Sequence, residues 1–267
     1  MKCLAFVSIC VLCIALVESG TDEDWPQVGH DTQHTFFSNS SISGSLEIQW
    51  SYEVKSREED RYVYNLSSPA VVGERVYISS PASLICLDLS TGERLYEVPP
   101  YARCPSTPTV VDGRLYLAGN ENLFQCLNAL TGDILWEKEL NDAHWINPLS
   151  GDAVYVTEDN FYVQCPMGVD IPYCWRAPQW LTLLALDKET GREIWRYSVE
   201  DDSVFDGSAL GFPILADETL FSYVCLYETE ENLSADQGKS YLVCIDAHTG
   251  ALKWKREGIL PSSSAAG

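Results

Sequence analysis

Asn128-Ala129-Leu130-Thr131-Gly132-Asp133-Ile134-Leu135-Trp136 decides the fold, because it recurs. Asp88-Leu89-Ser90-Thr91-Gly92 leads to Tyr96, Asp187-Lys188-Glu189-Thr190-Gly191 to Trp195, and Asp246-Ala247-His248-Thr249-Gly250 to Trp254. In every copy an Asp or Asn stands four residues before a Gly, Thr precedes the Gly, and an aromatic follows four later. Four copies in register are an internal repeat. The glycine has a mechanical reason: a tight connection between antiparallel strands needs a residue at positive φ, which Gly adopts at little cost. Asp88, Asp187 and Asp246 recur with the turn, so they read as turn-capping groups.

Working outward, each turn is preceded by three short β-rich runs. Ala70-Val71-Val72, Arg75-Val76-Tyr77-Ile78-Ser79 and Ser83 to Asp88 precede the first, and Glu93 to Val98 follows it. Thr107 to Val111, Arg114 to Ala118, Leu123 to Leu127 and Ile134 to Trp136 repeat the plan. Pro69 to Pro108 is 39 residues and Pro108 to Pro148 is 40. Four strands at a period near 40 residues point to an all-β chain, a β-propeller of four-stranded antiparallel blades. The expected blades are 67–104, 105–144, 145–208 and 209–258, four complete ones, with partial blades at both ends. Leu46, Ile48, Trp50 and Tyr52 alternate as a fourth strand (46–54) lacking its first three, and 259–267 resembles the opening of a fifth blade. The expected ring is therefore incomplete and the chain a fragment of a longer protein. Closure by oligomerisation and a short stand-alone form are the alternatives.

Composition sets the class. The chain has 267 residues, 46% of them hydrophobic, and a net charge of −22 from 39 acidic and 17 basic side chains. That charge argues against nucleic acid as a partner and reads as a solvated acidic surface. Lys2, the apolar run Leu4 to Val17 and Glu18-Ser19-Gly20 read as a secretory signal over residues 1–20, with a retained anchor as the alternative. Export to the periplasm, the cell surface or the medium follows. Seven cysteines remain beyond the signal. Cys86, Cys126 and Cys244 fall at one repeat position, so they read as small buried hydrophobes in separate blades. Cys165 and Cys174 are the candidate disulfide. Asn39, Asn65 and Asn232 open glycosylation sequons.

Residues 21–45 show neither strand nor helix periodicity and read as an ordered extended segment, in which Trp25, Phe36 and Phe37 call for burial. His30 and His34 flank Asp31, but no third metal ligand is evident and the segment is not helical by pattern, so a polar ordered segment is preferred to a metal site.

The repeat resembles the quinoprotein-like (PQQ-like) β-propeller family, whose blade reads Ser-Ser-Pro-Ala-Val, a Gly turn, Val-Tyr-Val, then Leu-Tyr-Ala-Leu-Asp-Ala-x-Thr-Gly-x-x-x-Trp. The match runs through Ser67 to Val72, Val76 to Ser79 and Leu84 to Gly92, and again around Gly132, Gly191 and Gly250. Trp25-Pro26 to Thr35 also looks like the segment before the first blade of exported members. The resemblance implies that Trp136, Trp195 and Trp254 dock against a neighbouring blade, with Tyr96 as a replacement. It also implies two functions. Some members are dehydrogenases using pyrroloquinoline quinone and calcium; others are scaffolds without a cofactor, such as the lipoprotein of the outer-membrane barrel-assembly machine. The dehydrogenases carry adjacent cysteines beside the quinone, and no Cys-Cys pair follows the signal here. No catalytic residue and no metal ligand is carried over, and no cofactor is expected.

Function is expected where the repeat is interrupted. The third blade exceeds the period at 158–179, between its second and third strands, and the fourth swells at 227–239 in the same place. Adjacent blades thus extend the same hairpin, on one face. Phe161, Tyr162, Tyr173, Trp175 and Trp180, with Trp145 nearby, are the candidate partner-binding aromatics, and Glu228, Glu230, Glu231 and Asp236 make the second insertion acidic. Rigidly mounted aromatics suit a protein or glycan partner; their competing role is to cover the end of their own ring. The first expectation is an exported binding scaffold. The alternative is a fragment of a quinoprotein dehydrogenase, with quinone and calcium. Missing blades would come from the same chain or another subunit.

Overall fold

The computed structural model describes residues 24–40, 47–54, 66–80, 83–98, 107–118, 123–140, 149–150, 154–159, 180–198, 208–210, 213–226 and 240–258. The signal region, Asn65, Asn232, Trp145, Phe161, Tyr162, Tyr173, Trp175, the Cys165–Cys174 pair and residues 259–267 lie outside these.

Four antiparallel sheets follow one another along the chain. The first is β1 (Ala70–Val72), β2 (Arg75–Ser79), β3 (Leu84–Asp88) and β4 (Arg94–Val98), in that order. The second is β5 (Thr109–Val111), β6 (Arg114–Ala118), β7 (Leu123–Asn128) and β8 (Ile134–Glu139). The third is β9 (Leu149–Ser150), β10 (Val154–Asp159), β11 (Trp180–Leu186) and β12 (Glu193–Ser198). The fourth holds β13 (Ser208–Leu210), β14 (Ile214–Ala216), β15 (Thr219–Leu226), β16 (Ser240–Asp246) and β17 (Leu252–Gly258). Each sheet is a propeller blade, with its first strand innermost.

The blades are buried on both faces, and the period of two explains how. Val76, Ile78, Ile85 and Leu87 point to one side of the first blade and pack with Trp50, Tyr52 and Val54. Tyr77, Leu84 and Cys86 point to the other side and meet Val110, Leu115, Leu117 and Leu127 of the second blade. The second blade returns Tyr116, Phe124, Cys126 and Trp136 to Leu184 and Leu186 of the third. The third gives Tyr155, Leu183, Ala185 and Trp195 to Leu220, Val224, Val243 and Ile245 of the fourth. The core is thus a series of interblade layers. Each fully buried Leu or Ile in them contributes about 1.5–3 kcal/mol relative to exposure.

Three expectations need correction. Residues 47–54 are not a strand; they have no ladder neighbour among the described residues, although Trp50, Tyr52 and Val54 still pack as a fourth strand would. Ile48 is exposed. Phe36 and Phe37 are 67% and 63% exposed, not buried: left-handed backbone at His34 (φ 52°) and Phe36 (φ 51°) turns the chain outward there. The first strand of the fourth blade is broken in two. Leu210 pairs Val224 and Ile214 pairs Phe221, four residues against three. Pro213, with no N–H to donate, stands in the break.

Candidate functional site

The recurring turn is built the same way four times. The Asp or Asn side chain accepts backbone N–H groups within the turn: Thr91 on Asp88 (2.8 Å), Thr131 on Asn128 (3.2 Å), Thr190 on Asp187 (2.9 Å), Thr249 on Asp246 (3.0 Å). Each Thr hydroxyl in turn accepts the N–H after the glycine. These bonds to the ionised form hold the carboxylates low. Asp88 is lowered chiefly by the Ser90 hydroxyl, Asp187 by that of Thr190, and Asp246, bonded to Lys253 and Thr249, falls to about 2. Past the turn every blade has a bulge. Cys86 pairs Tyr96 while Leu87 pairs Arg94, so Leu95 is skipped; Leu135, Ile194 and Lys253 are skipped likewise. The bulge accounts for the exposure of Leu95, Leu135 and Ile194.

The aromatic then wedges into the next blade. Indole N–H groups donate to the carbonyl three residues before the next glycine: Trp50 to Leu89 O (2.8 Å), Trp136 to Lys188 O (2.9 Å), Trp195 to Ala247 O (2.9 Å). Tyr96 does the same through its hydroxyl, to Ala129 O at 2.8 Å. The ring lies on the glycine. A Cβ on Gly191 would come 2.5 Å from Trp136 Cε3, and one on Gly250 2.6 Å from Trp195 Cε3. Gly92 is covered by Trp50 and Gly132 by Tyr96. Among the described residues Trp254 has no such seat: it is 43% exposed, against 9% for Trp136 and Trp195. These repeat residues hold the blades together and present no reactive group to a common site.

The interruptions sit elsewhere. In the first two blades the second and third strands pair as far as Ser79–Leu84 and Ala118–Phe124. In the third the ladder runs on to Glu158–Thr182 and, across an irregularity, to Asp159–Trp180. In the fourth it runs through Val224–Tyr241 to Cys225–Ser240. Glu158 and Asp159, expected in the insertion, are therefore strand, and Trp180 opens β11. Antiparallel order puts both lengthened hairpins on the face that carries the blade-to-blade connections, opposite the Thr-Gly turns. Asn39 is exposed.

One group of contacts was not legible in the sequence. Residues 24–35 run along the innermost strands of three blades. Trp25 exchanges two backbone bonds with Val71 (2.6 and 2.9 Å), and Gly73 N–H donates to the Asp24 carboxylate (2.7 Å). Val110 N–H donates to Pro26 O (2.7 Å). Leu215 N–H donates to Thr32 O (2.8 Å) while the Thr32 hydroxyl donates to Leu215 O (3.0 Å).

His30 meets Trp25 at a tilt of 59°, with ring centroids 4.8 Å apart, and burial lowers His34. Cys86, Cys126 and Cys244 are free and buried, and burial pushes the Cys126 thiol up to about 11. Arg75 donates to the Cys86 sulfur at 3.7 Å. Among the described residues, no three of His, Cys, Asp and Glu converge on a point where a metal could bind.

Comparison with known proteins gives a family and a fold. The family model described as outer membrane protein assembly factor BamB matches residues 45–260. Among solved structures the chain is similar to the quinohemoprotein alcohol dehydrogenase of Comamonas testosteroni, at 14% identity and TM-score 0.57, over 90% of this chain and 42% of that one. It is similar to a europium-containing methanol dehydrogenase at 14% identity and TM-score 0.60, over 87% and 48%. It is also similar to Saccharomyces cerevisiae Sqt1 at 13% and 0.53, over 79% and 52%. Identities this low speak for the fold alone. The chain spans less than half the length of either dehydrogenase. Among curated proteins none matches it.

Proposed function

As a chain that belongs to the PQQ-like repeat family described as outer membrane protein assembly factor BamB, this protein is, we propose, an exported scaffold that binds a protein partner on its insertion face. The reading rests on one observation: the β10–β11 and β15–β16 hairpins are lengthened together, in adjacent blades and on one face. Blades without an insertion keep the shorter hairpin, so the extension is not needed to build a blade. The sequence of 160–179 adds Phe161, Tyr162, Tyr173 and Trp175, and that of 227–239 adds Glu228, Glu230, Glu231 and Asp236. Aromatic residues in one insertion and acidic residues in the other suit a partner surface with an apolar pocket and basic surroundings. A glycan stacking on the same aromatics is the variant of this reading. The apolar run at Leu4 to Val17 supports export.

The test is capture of interacting proteins from the envelope and secreted fractions of the source cells. The full chain is compared with a variant whose residues 160–179 are replaced by a Gly-Ser turn. Loss of a specific partner, with the β-sheet circular dichroism unchanged, is expected. Retention of every partner by the shortened variant would overturn the reading. The likeness in fold to two dehydrogenases favours a second reading, a fragment of a quinoprotein oxidoreductase. It requires the full-length protein, supplied with pyrroloquinoline quinone and calcium, to reduce an electron-accepting dye.

A further inference from the structure

We propose that residues 24–35 form a clasp that pins the fourth blade to the first and second across the propeller axis. The proposal stands apart from the partner-binding reading and holds whether or not that reading survives. It starts from an elementary problem. The innermost strand of a blade has an unpaired edge, a row of N–H and C=O groups facing the axis. The clasp supplies partners for three such edges in one pass: Val71 in β1, Val110 in β5 and Leu215 in β14. Pro26 suits its place, because only its carbonyl is used and its missing N–H leaves nothing unsatisfied.

The loop between these anchors is built to deliver Thr32 to Leu215. Gly29 sits at φ 74°, and a Cβ there would lie 2.6 Å from His34 Cα. Phe36 N–H donates to Gly29 O at 2.9 Å and closes the loop. Asp31 accepts the N–H groups of Gln33 (3.0 Å) and Thr35 (3.1 Å), and the Thr35 hydroxyl donates to its other oxygen. His30 (φ 80°), His34 and Phe36 all hold left-handed backbone. A free segment would relax that strain; one anchored at both ends keeps it.

Among the described residues no wedge links the fourth blade to the first. Gly92, its seat on the first blade, already holds Trp50. Trp254, its counterpart on the fourth, is exposed. The clasp makes that connection from inside the ring. It thereby fixes the blade that carries the β15–β16 hairpin. The bond between Thr32 and Leu215 spans 183 positions of sequence, so the segment is fully held only once the fourth blade has formed.

Site-resolved amide hydrogen exchange on the full chain tests this. Gly29→Ala cannot form the loop but leaves the Trp25 and Pro26 anchors in place. The Leu215 amide should then exchange at least tenfold faster, about 1.4 kcal/mol of local opening, while Val71 and Val110 stay within about twofold of the wild type. Gly113→Ala is the control for strain alone, because Gly113 sits at φ 74° with nothing within 4 Å of the added Cβ; it should leave Leu215 unchanged. If Gly29→Ala does not fold, Thr32→Val removes the hydroxyl bond alone and should speed Leu215 by a few fold, selectively. Unchanged Leu215 exchange in the loop variant, or acceleration of all three amides alike in loop variant and control, would overturn the clasp.

Discussion

Replacing Gly191 by Ala probes the interblade wedge at a single atom. Two effects combine. Gly191 sits at φ 68°, and an L-residue in left-handed backbone costs about 1–2 kcal/mol. The new Cβ would also stand 2.5 Å from Trp136 Cε3 and 2.8 Å from Cδ2, so the indole must leave its seat. That breaks the bond from Trp136 to Lys188 O, worth about 1 kcal/mol, and exposes part of a side chain whose complete removal would cost about 3–5 kcal/mol. The expected total is about 4 kcal/mol. Gly113→Ala carries the same kind of backbone strain, at φ 74°, with no atom to strike, and should cost only about 1–2 kcal/mol. Urea unfolding followed by both tryptophan fluorescence and far-ultraviolet circular dichroism measures the difference. With a slope of about 2–3 kcal/mol per molar urea, the Gly191 variant should unfold about 1 M earlier than the Gly113 variant. Equal midpoints would reduce the glycine to a backbone requirement and leave the wedge without weight.

Trp195→Ala should cost about 3–5 kcal/mol and Trp254→Ala only about 1 kcal/mol, because Trp195 is buried and bonded to Ala247 O whereas Trp254 lies 43% exposed; denaturant midpoints of the two variants decide. Asp88, Asp187 and Asp246 have folded pKa values below the unfolded value near 3.9, so their stabilisation is complete above about pH 5 and is lost as pH falls from about 4 toward 2. Replacing all three by Asn should flatten that part of the stability profile while keeping the turns, since Asn128 already caps the second turn as an amide. An unchanged acid limb would show that other carboxylates carry it. Cys86, Cys126 and Cys244 are buried with thiol pKa values raised by that burial, so iodoacetamide at pH 8 should label them only after unfolding, as read by peptide mass.

The blades were legible because their signals are local. A Thr-Gly turn with an Asp or Asn four residues before the glycine and an aromatic four after specifies a hairpin by itself, and four copies fix the period. The bulge that skips Leu95, Leu135 and Ile194 was not legible, since nothing in composition distinguishes a skipped residue from a paired one. The broken first strand of the fourth blade had a sign in Pro213, which cannot donate to a ladder. Residues 24–35 show in sequence that they are ordered but not what they meet: Trp25 meets Val71 and Thr32 meets Leu215 through backbone atoms that any sequence would offer. The same blindness misplaced Phe36 and Phe37. Hydrophobicity called for burial, while the left-handed backbone at His34 and Phe36, a product of loop closure, turned them to solvent. The interruptions at 158–179 and 227–239 stood out as departures from the period. Their position on one face follows from antiparallel order alone, whereas the precise start of the first did not, because Glu158 and Asp159 continue β10.

In the proposed scaffold, binding resides where the repeat is interrupted and the repeat itself is framework. The most direct measurement is the Kd of one captured partner for three full chains: the wild type, the variant with a Gly-Ser turn in place of 160–179, and Asp187→Asn, which alters a repeat turn while keeping its cap. Loop replacement should weaken binding by roughly a hundredfold or more, the scale of a lost hot spot, with Asp187→Asn within about threefold of the wild type. Equal affinity for the wild type and the loop-replaced chain, or a loss confined to Asp187→Asn, would contradict it.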